Sequence, residues 1–206
     1  DPSATPDNDD PCDAQNISVN STCQFETFTN DGATNTIGAP APGCANYQGS
    51  DVWFSFTVPS SGNVQVDVSE VGMDDPDAAA YSGACGSLTL IACEDGPLPD
   101  YNPTITLIGQ TPGETIWIRV WSYGNVQNGS FEICATELAA CEPTNPTCSE
   151  SISLTVGASC VNGSTCGGGS VEAFSCDAAN VHNEAVWYSF TATQTEMLVT
   201  ATTSQT

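Results

Sequence analysis

Hydrophobic residues fall at every second position over Asp51-Val-Trp-Phe-Ser-Phe-Thr-Val58, so that Val52, Phe54, Phe56 and Val58 share one face of an extended chain. Alternation of this kind marks a strand with one buried side. Pro59-Ser-Ser-Gly62 reads as a turn, and Asn63-Val-Gln-Val-Asp-Val68 resumes the alternation with Val64, Val66 and Val68 inward. The two segments are predicted to pair as a hairpin. Further strands are predicted over Leu88 to Ala92, Thr104 to Ile108, Thr115 to Trp121 and Gly129 to Thr136, separated by clusters of Gly, Pro, Asn and Asp. No segment of useful length carries helical periodicity. Short strands at this spacing predict an all-β, antiparallel β-sandwich of jelly-roll or Ig-like type.

The pattern then repeats. Val52-Trp-Phe-Ser-Phe-Thr57 recurs as Val186-Trp-Tyr-Ser-Phe-Thr191, and Cys12, Cys23 and Cys44 precede the first copy much as Cys148, Cys160 and Cys176 precede the second. Self-similarity of this kind marks tandem modules. The division expected is a linker over 1–6, a complete sandwich module over 7–137, a linker over 138–147 and the first half of a second module over 148–206. Half a sandwich exposes unpaired sheet edges and an apolar face. Three arrangements would cover them: a polypeptide that continues further, strands donated by another subunit, or a proteolytic origin for the piece. The sequence opens on Asp1 without an apolar leader, and the expectation is a processed or excised portion of a larger protein.

Charge narrows the partners. Against 25 Asp and Glu the chain carries a single Lys or Arg, Arg119, for a formal charge of -24. Nucleic acid binding needs clustered cations, so nucleic acid is excluded, and anionic membrane surfaces are disfavoured. No run approaches the roughly 18 apolar residues of a membrane span, so no membrane insertion is expected. Eleven cysteines without a zinc-type C-x-x-C pair indicate disulfides and hence an extracellular or cell-surface location. Cys12, Cys23, Cys44, Cys85, Cys93 and Cys134 form a self-sufficient set within the first module. The pairing expected is Cys85 with Cys93 across a local loop, Cys23 with Cys44, and Cys12 with Cys134 closing the ends. Cys141, Cys148, Cys160, Cys166 and Cys176 remain, an odd number consistent with a partner in an absent half.

Two constellations carry candidate chemistry. Asp7, Asp9 and Asp10 enter the first module, and Asp51 precedes the central aromatic strand. Calcium takes six to eight hard oxygen ligands, and closely spaced loop carboxylates supply them, so these four are the expected calcium ligands, with a solvated acidic linker as the plainer alternative. The second module has Thr144-Asn-Pro-Thr147 and Ala185 at the matching positions, with Glu184 one residue away, and is expected to lack the site. A second acidic group, Asp74, Asp75, Asp77, Glu94, Asp95 and Asp100, matches no defined loop and reads as solvated charge. On the strand Thr115 to Trp121, Ile116, Ile118 and Val120 face the core while Trp117, Arg119 and Trp121 share the other face. The plain reading is a structural cation-π ladder worth about 0.5 to 1 kcal/mol. The sharper one is a ligand-stacking platform with Tyr123 at its edge. Catalysis finds little support, since His182 is the sole histidine and the chain has neither lysine nor a Gly-x-Ser-x-Gly elbow.

Asp7-Asn-Asp-Asp-Pro-Cys-Asp-Ala14, Gly49-Ser-Asp-Val-Trp-Phe-Ser-Phe-Thr-Val-Pro59, Ala80-Tyr-Ser-Gly-Ala-Cys-Gly-Ser-Leu88 and Thr111-Pro-Gly-Glu-Thr-Ile-Trp-Ile-Arg-Val120 resemble the bacterial pre-peptidase C-terminal (PPC) domains. The resemblance is to the cysteine-bearing type of secreted and surface proteins of Bacteroidetes, and spans the first module and the opening of the second. It implies β-sandwiches appended to proteases, glycosidases and adhesins, export by the type IX secretion route, and calcium shared between the acidic entry and the Asp ahead of the strand aromatic. The function expected is a calcium-stabilised, non-enzymatic adhesion or glycan- or protein-binding module array of a larger secreted or cell-surface protein. Two alternatives stand beside it: a subunit of an extracellular filament that binds copies of itself by strand complementation, and a non-catalytic appendage of a secreted protease or glycosidase.

Overall fold

A computed structural model describes residues 4–140, 145, 147–163 and 186–201. The chain divides into two compact units, Asp1–Ala139 and Ala140–Thr206, taken separately below.

In the first unit a 3-10 turn at Pro11–Asp13 leads into β1 (Gln15–Asn16), β2 (Val19–Asn20) and β3 (Glu26–Thr29). The longer strands follow as β4 (Val52–Thr57), β5 (Val64–Glu70), β6 (Pro76–Ala84), β7 (Ser87–Asp95), β8 (Thr104–Leu107), β9 (Thr115–Ser122) and β10 (Ser130–Glu137). They form two five-stranded sheets, one ordered β1-β4-β9-β6-β7 and the other β2-β10-β5-β8 with β3 also on β10. Pairing is antiparallel except for the short additions of β1 to β4 and β2 to β10. The architecture is the predicted all-β sandwich, with mixed sheets instead of wholly antiparallel ones.

The core lies between the sheets, where the alternating residues of the sequence meet. Val52, Phe54, Phe56, Ile116, Ile118 and Val120 on one side face Val64, Val66, Val68, Ile105, Phe131 and Ile133 on the other, all buried. Phe54 makes edge-type ring contacts with Phe131 at 5.9 Å and with Phe28 at 4.8 Å between centroids.

The predicted hairpin does not form. β4 pairs with β1 and β9, whereas β5 pairs with β10 and β8. The turn at Pro59–Gly62 carries the chain from one sheet to the other, so that the two apolar faces look at each other across the core. Period-two patterning fixes the face a residue takes, not the strand it pairs with. Gly62 is required there: its φ is +72°, and an added Cβ would come within 2.7 Å of the Gln110 carbonyl oxygen. β6 escaped sequence reading because it sits between β9 and β7 and is buried over Pro76–Tyr81 on both faces. Its Asp-Ala-Ala-Ala-Tyr run therefore has no alternation to reveal.

Three disulfides join Cys12 to Cys85, Cys23 to Cys134 and Cys44 to Cys93. The six-cysteine set closes on itself, but every pairing expected from sequence is corrected. Cys93 stands opposite Ala79 on the β6-β7 hairpin while Ala84 meets Ser87 at the tip. At about 3.4 Å per residue that places Cys93 far beyond reach of Cys85. β2 and β3 both run along β10, which brings the segment between them, with Cys23, to Cys134. Cys44 belongs to a loop lying over the outer face of the first sheet, where β7 offers Cys93.

In the second unit a 3-10 turn at Cys148–Glu150 precedes β11 (Ile152–Ser153), which pairs in parallel with β12 (Tyr188–Ser189). The Asn145 side chain donates to the Trp187 carbonyl at 2.7 Å, and the Trp187 amide donates to the Asn145 carbonyl at 2.9 Å. In the first unit Asn8 and Trp53 make the same two bonds at 3.0 and 2.8 Å, just ahead of the parallel pairing of β1 with β4. Cys148 and Cys160 are exposed free thiols among the described residues. Cys141, Cys166, Cys176, His182, Glu184 and Ala185 lie outside them.

Candidate functional site

The outer face of the first sheet is covered. Trp53, Ala79, Tyr81, Trp121 and Ala45 form a second small core beneath the loop that carries Pro40 to Tyr47, held by the Cys44–Cys93 bridge. Inside it lies the chain's single arginine. Arg119 Nε donates to Asp51 Oδ2 at 2.9 Å, with the side chains 1% and 0% exposed. The guanidinium stacks on the Tyr47 ring at 4.0 Å and on the Trp53 ring at 5.1 Å. Asp51 also accepts from Thr36 Oγ1 at 2.6 Å, Tyr47 Oη at 2.6 Å and Trp53 Nε1 at 3.0 Å. Burial alone would lower the Arg119 pKa, but the Asp51 charge and hydrogen bond outweigh it and raise the pKa further. Burial, and then the Asp51 hydrogen bond, push the Tyr47 phenol up.

This network corrects two expectations. Trp117, Arg119 and Trp121 do share a face of β9, with Ile116, Ile118 and Val120 in the core. Arg119 and Trp121 are buried, however, so no exposed platform runs between the two indoles. The cation stacks on Tyr47 and Trp53 instead, and Trp121 Nε1 donates to the Ala45 carbonyl at 3.2 Å. Trp117 stays partly exposed and donates to the Gly83 carbonyl at 2.9 Å, and Tyr123 is 38% exposed at a 3-10 turn, Tyr123–Asn125. Strand periodicity places all three residues on the outer face but cannot show that a distant loop covers it.

The expected calcium ligands do not converge either. Asp9 accepts from the Thr34 amide at 2.6 Å and its hydroxyl at 2.7 Å, which fastens the entry segment to the loop ahead of β4. Asp10 precedes the 3-10 turn at Pro11–Asp13, where its carbonyl accepts from the Asp13 amide at 2.9 Å. Asp51 is engaged by Arg119, and no three of Asp7, Asp9, Asp10 and Asp51 bring carboxylate oxygens within shared-ligand distance.

The second acidic group is another matter. Asp75, Asp77 and Asp95 bring one carboxylate oxygen each within 4.8 Å of one another. Burial, and then the neighbouring Asp95 and Asp75 charges, push the Asp77 carboxyl up to about 8. Burial, followed by Asp95, Asp74 and Glu70, also raises Asp75. The expectation of solvated loop charge is therefore corrected for Asp77, which is fully buried.

An open groove of about 460 Å³ runs between the entry segment and β3. Asp7, Asp13 and Gln15 line one wall, and Thr27, Phe28 and Thr29 the other. The carboxylates of Asp7 and Asp13 and the amide of Gln15 are exposed there, whereas Phe28 packs inward against Phe54 at 4.8 Å between ring centroids.

No curated protein matches the chain. Among solved structures it is similar to the pre-peptidase C-terminal domain of a collagenase from Bacillus anthracis, at 14% identity and a TM-score of 0.38, over 59% of this chain and 93% of that one. No helix among the described residues is long and apolar enough to cross a membrane. Residues 7–133, which run from the entry segment into β10, match a galactose binding domain-like family associated with the type IX secretion system, and the chain belongs to that family.

Proposed function

We propose that this chain is a non-catalytic binding module of a secreted or surface protein, contacting extracellular glycan through the groove between its entry segment and β3. The observation that carries the reading is what the fold leaves at the surface. The aromatic and charged residues most suggestive of a site, Trp53, Arg119, Trp121 and Asp51, are enclosed in the loop-covered core. The groove keeps Asp7, Asp13 and Gln15 exposed, and converging carboxylate and amide groups suit sugar hydroxyls. Membership of a galactose binding domain-like family supports a sugar as ligand, as does the absence of clustered cations for anionic polymers. The secretion-associated family and the three disulfides support a location outside the cytosol.

A labelled chain applied to a glycan array, followed by titration with galactose and with the best-bound glycan, tests this. Asp13→Asn and Gln15→Ala should each weaken binding about tenfold, the size of one lost hydrogen bond to a charged or amide group. Trp117→Ala should leave it unchanged. Loss of binding in Trp117→Ala with retention in the groove variants would move the site to the outer face of β9.

A second reading concerns the unit from Ala140. The Asn145–Trp187 clasp and the β11-β12 pairing reproduce the Asn8–Trp53 clasp and the β1-β4 pairing. On that ground we propose that this unit opens a second copy of the sandwich, without the Gln15 of the groove, since Ile152 stands at the matching position of β11. Limited proteolysis of the native parent should release fragments of matching size for both units; a single protected fragment would count against it.

A further inference from the structure

β6 is the second strand from the edge of its sheet, and Asp77 lies in it directly opposite Trp121 of β9 on one side and Asp95 of β7 on the other. Like charges directly opposite across a pair of strands repel. Asp77 is 0% exposed, and neither of its carboxylate oxygens has a hydrogen-bond partner; Asp75 Oδ1 is buried without one too. A buried carboxylate without donors or counter-charge is among the costliest groups a fold can hold. Among the described residues nothing neutralises it, since the chain has no lysine and its single arginine is paired with Asp51.

Other bonds hold the three carboxylates in place. The loop before β6 is tied to the end of β9 and the residue that follows it, with Ser122 Oγ donating to the Asp74 carbonyl at 3.0 Å and the Tyr123 amide to the Asp75 carbonyl at 2.9 Å. The β6-β7 ladder places Asp95 beside Asp77. Two oxygens bound to one calcium at about 2.4 Å each stand at most about 4.8 Å apart, and the carboxylate oxygens of Asp75, Asp77 and Asp95 all lie within 4.8 Å of one another.

We propose that Asp75, Asp77 and Asp95 bind one calcium ion, with Asp77 as the inner ligand and water completing the shell on the exposed Asp95 side. The hard oxygen donors exclude soft metals. Calcium accepts an irregular set of six to eight oxygens, whereas magnesium demands a near-ideal octahedron and keeps most of its water. The ion supplies the positive charge that the chain lacks and fastens the loop, β6 and β7 together. This site is separate from the glycan groove and stands or falls without it.

The test uses the full, oxidised chain, stripped with chelator and titrated with calcium chloride. In the wild type, calcium should raise the midpoint of thermal unfolding by about 5 °C or more. Terbium bound at the site should luminesce through Trp121, and calcium should displace it. Asp77→Asn should abolish both responses. Asp95→Asn, a change at an exposed position that leaves the core intact, should weaken calcium binding at least about tenfold. Asp9→Asn should retain the wild-type responses. A wild-type melt indifferent to calcium would overturn the proposal. So would an undiminished calcium response in Asp77→Asn or Asp95→Asn, because the ion would then sit elsewhere.

Discussion

Replacing Arg119 with Met tests whether the Asp51 pair holds the outer face together. The substitution keeps most of the side-chain volume and removes the charge. It leaves Asp51 buried with its donors from Thr36, Tyr47 and Trp53 but without a counter-ion. At 2.9 Å the Coulomb attraction is on the order of 5 kcal/mol for an effective dielectric of about 20. Much of it offsets desolvation of the two ions, so the measurable quantity is the cost of breaking one side. For a buried pair that cost is about 3 to 5 kcal/mol. Stacking on Tyr47 and Trp53 disappears in the same step and favours the upper half of that range. For a unit the size of Asp1–Ala139 such a loss lowers the melting midpoint by roughly 10 to 20 °C. Urea unfolding of the oxidised protein, with the slope held against wild type, gives the free energy. Combining Asp51→Asn with Arg119→Met should cost less than the sum of the single changes by at least about 1 kcal/mol. A loss below about 1 kcal/mol in Arg119→Met, the range of exposed ion pairs, would refute a dry, load-sharing pair under the Pro40–Tyr47 loop.

Trp121→Ala should cost about 3 to 5 kcal/mol as a large core truncation, and Trp117→Ala about 1 kcal/mol as a half-exposed side chain losing one hydrogen bond; equal losses would mean that both are enclosed. Peptide mapping under non-reducing conditions should recover Cys12 with Cys85, Cys23 with Cys134 and Cys44 with Cys93, and a Cys85–Cys93 peptide would contradict the hairpin register. Removing the Cys44–Cys93 bridge by paired Ser substitution should cost about 2 to 4 kcal/mol and make the Pro40–Tyr47 loop the first site of proteolysis. Asn8→Ala, which deletes one bond of the Trp53 clasp, should cost about 1 kcal/mol in urea unfolding; no loss would show the clasp to be redundant with the main-chain bond.

Strand faces were legible because alternation is a local property. Val52, Phe54 and Phe56 had to point one way, and Ile116, Ile118 and Val120 opposite to Trp117, Arg119 and Trp121, whatever the strands paired with. Partners were not legible, because pairing is non-local. The Pro59–Gly62 turn looks like a hairpin turn in sequence, yet it crosses between sheets. Cys85 and Cys93 look adjacent, yet a strand separates them. The site residues failed for the same reason. Arg119 between two tryptophans suggests an exposed ladder until a loop more than a strand away brings Tyr47 over it. Asp77 looked like one more solvated acid because Ala78, Ala79 and Ala80, too small to announce a core, gave no sign that β6 was a buried strand.

Asp51 and Asp77 show two outcomes of a single constraint. Both are aspartates at 0% exposure near the outer face of the same sheet, and a buried carboxylate has to be neutralised, bonded or left protonated. Asp51 has a cation and three further side-chain donors. Asp77 has neither, in a chain whose surface is so uniformly acidic that no neighbouring side chain supplies a positive charge. A sequence with 25 Asp and Glu and a single Lys or Arg cannot satisfy two buried carboxylates with an arginine each. One takes the arginine, and charge balance at the other must come from a proton or from solution. Outside the cell calcium is the available ion that suits three converging carboxylates, and in this sandwich it would hold in place the loop and hairpin that the internal ion pair does not reach.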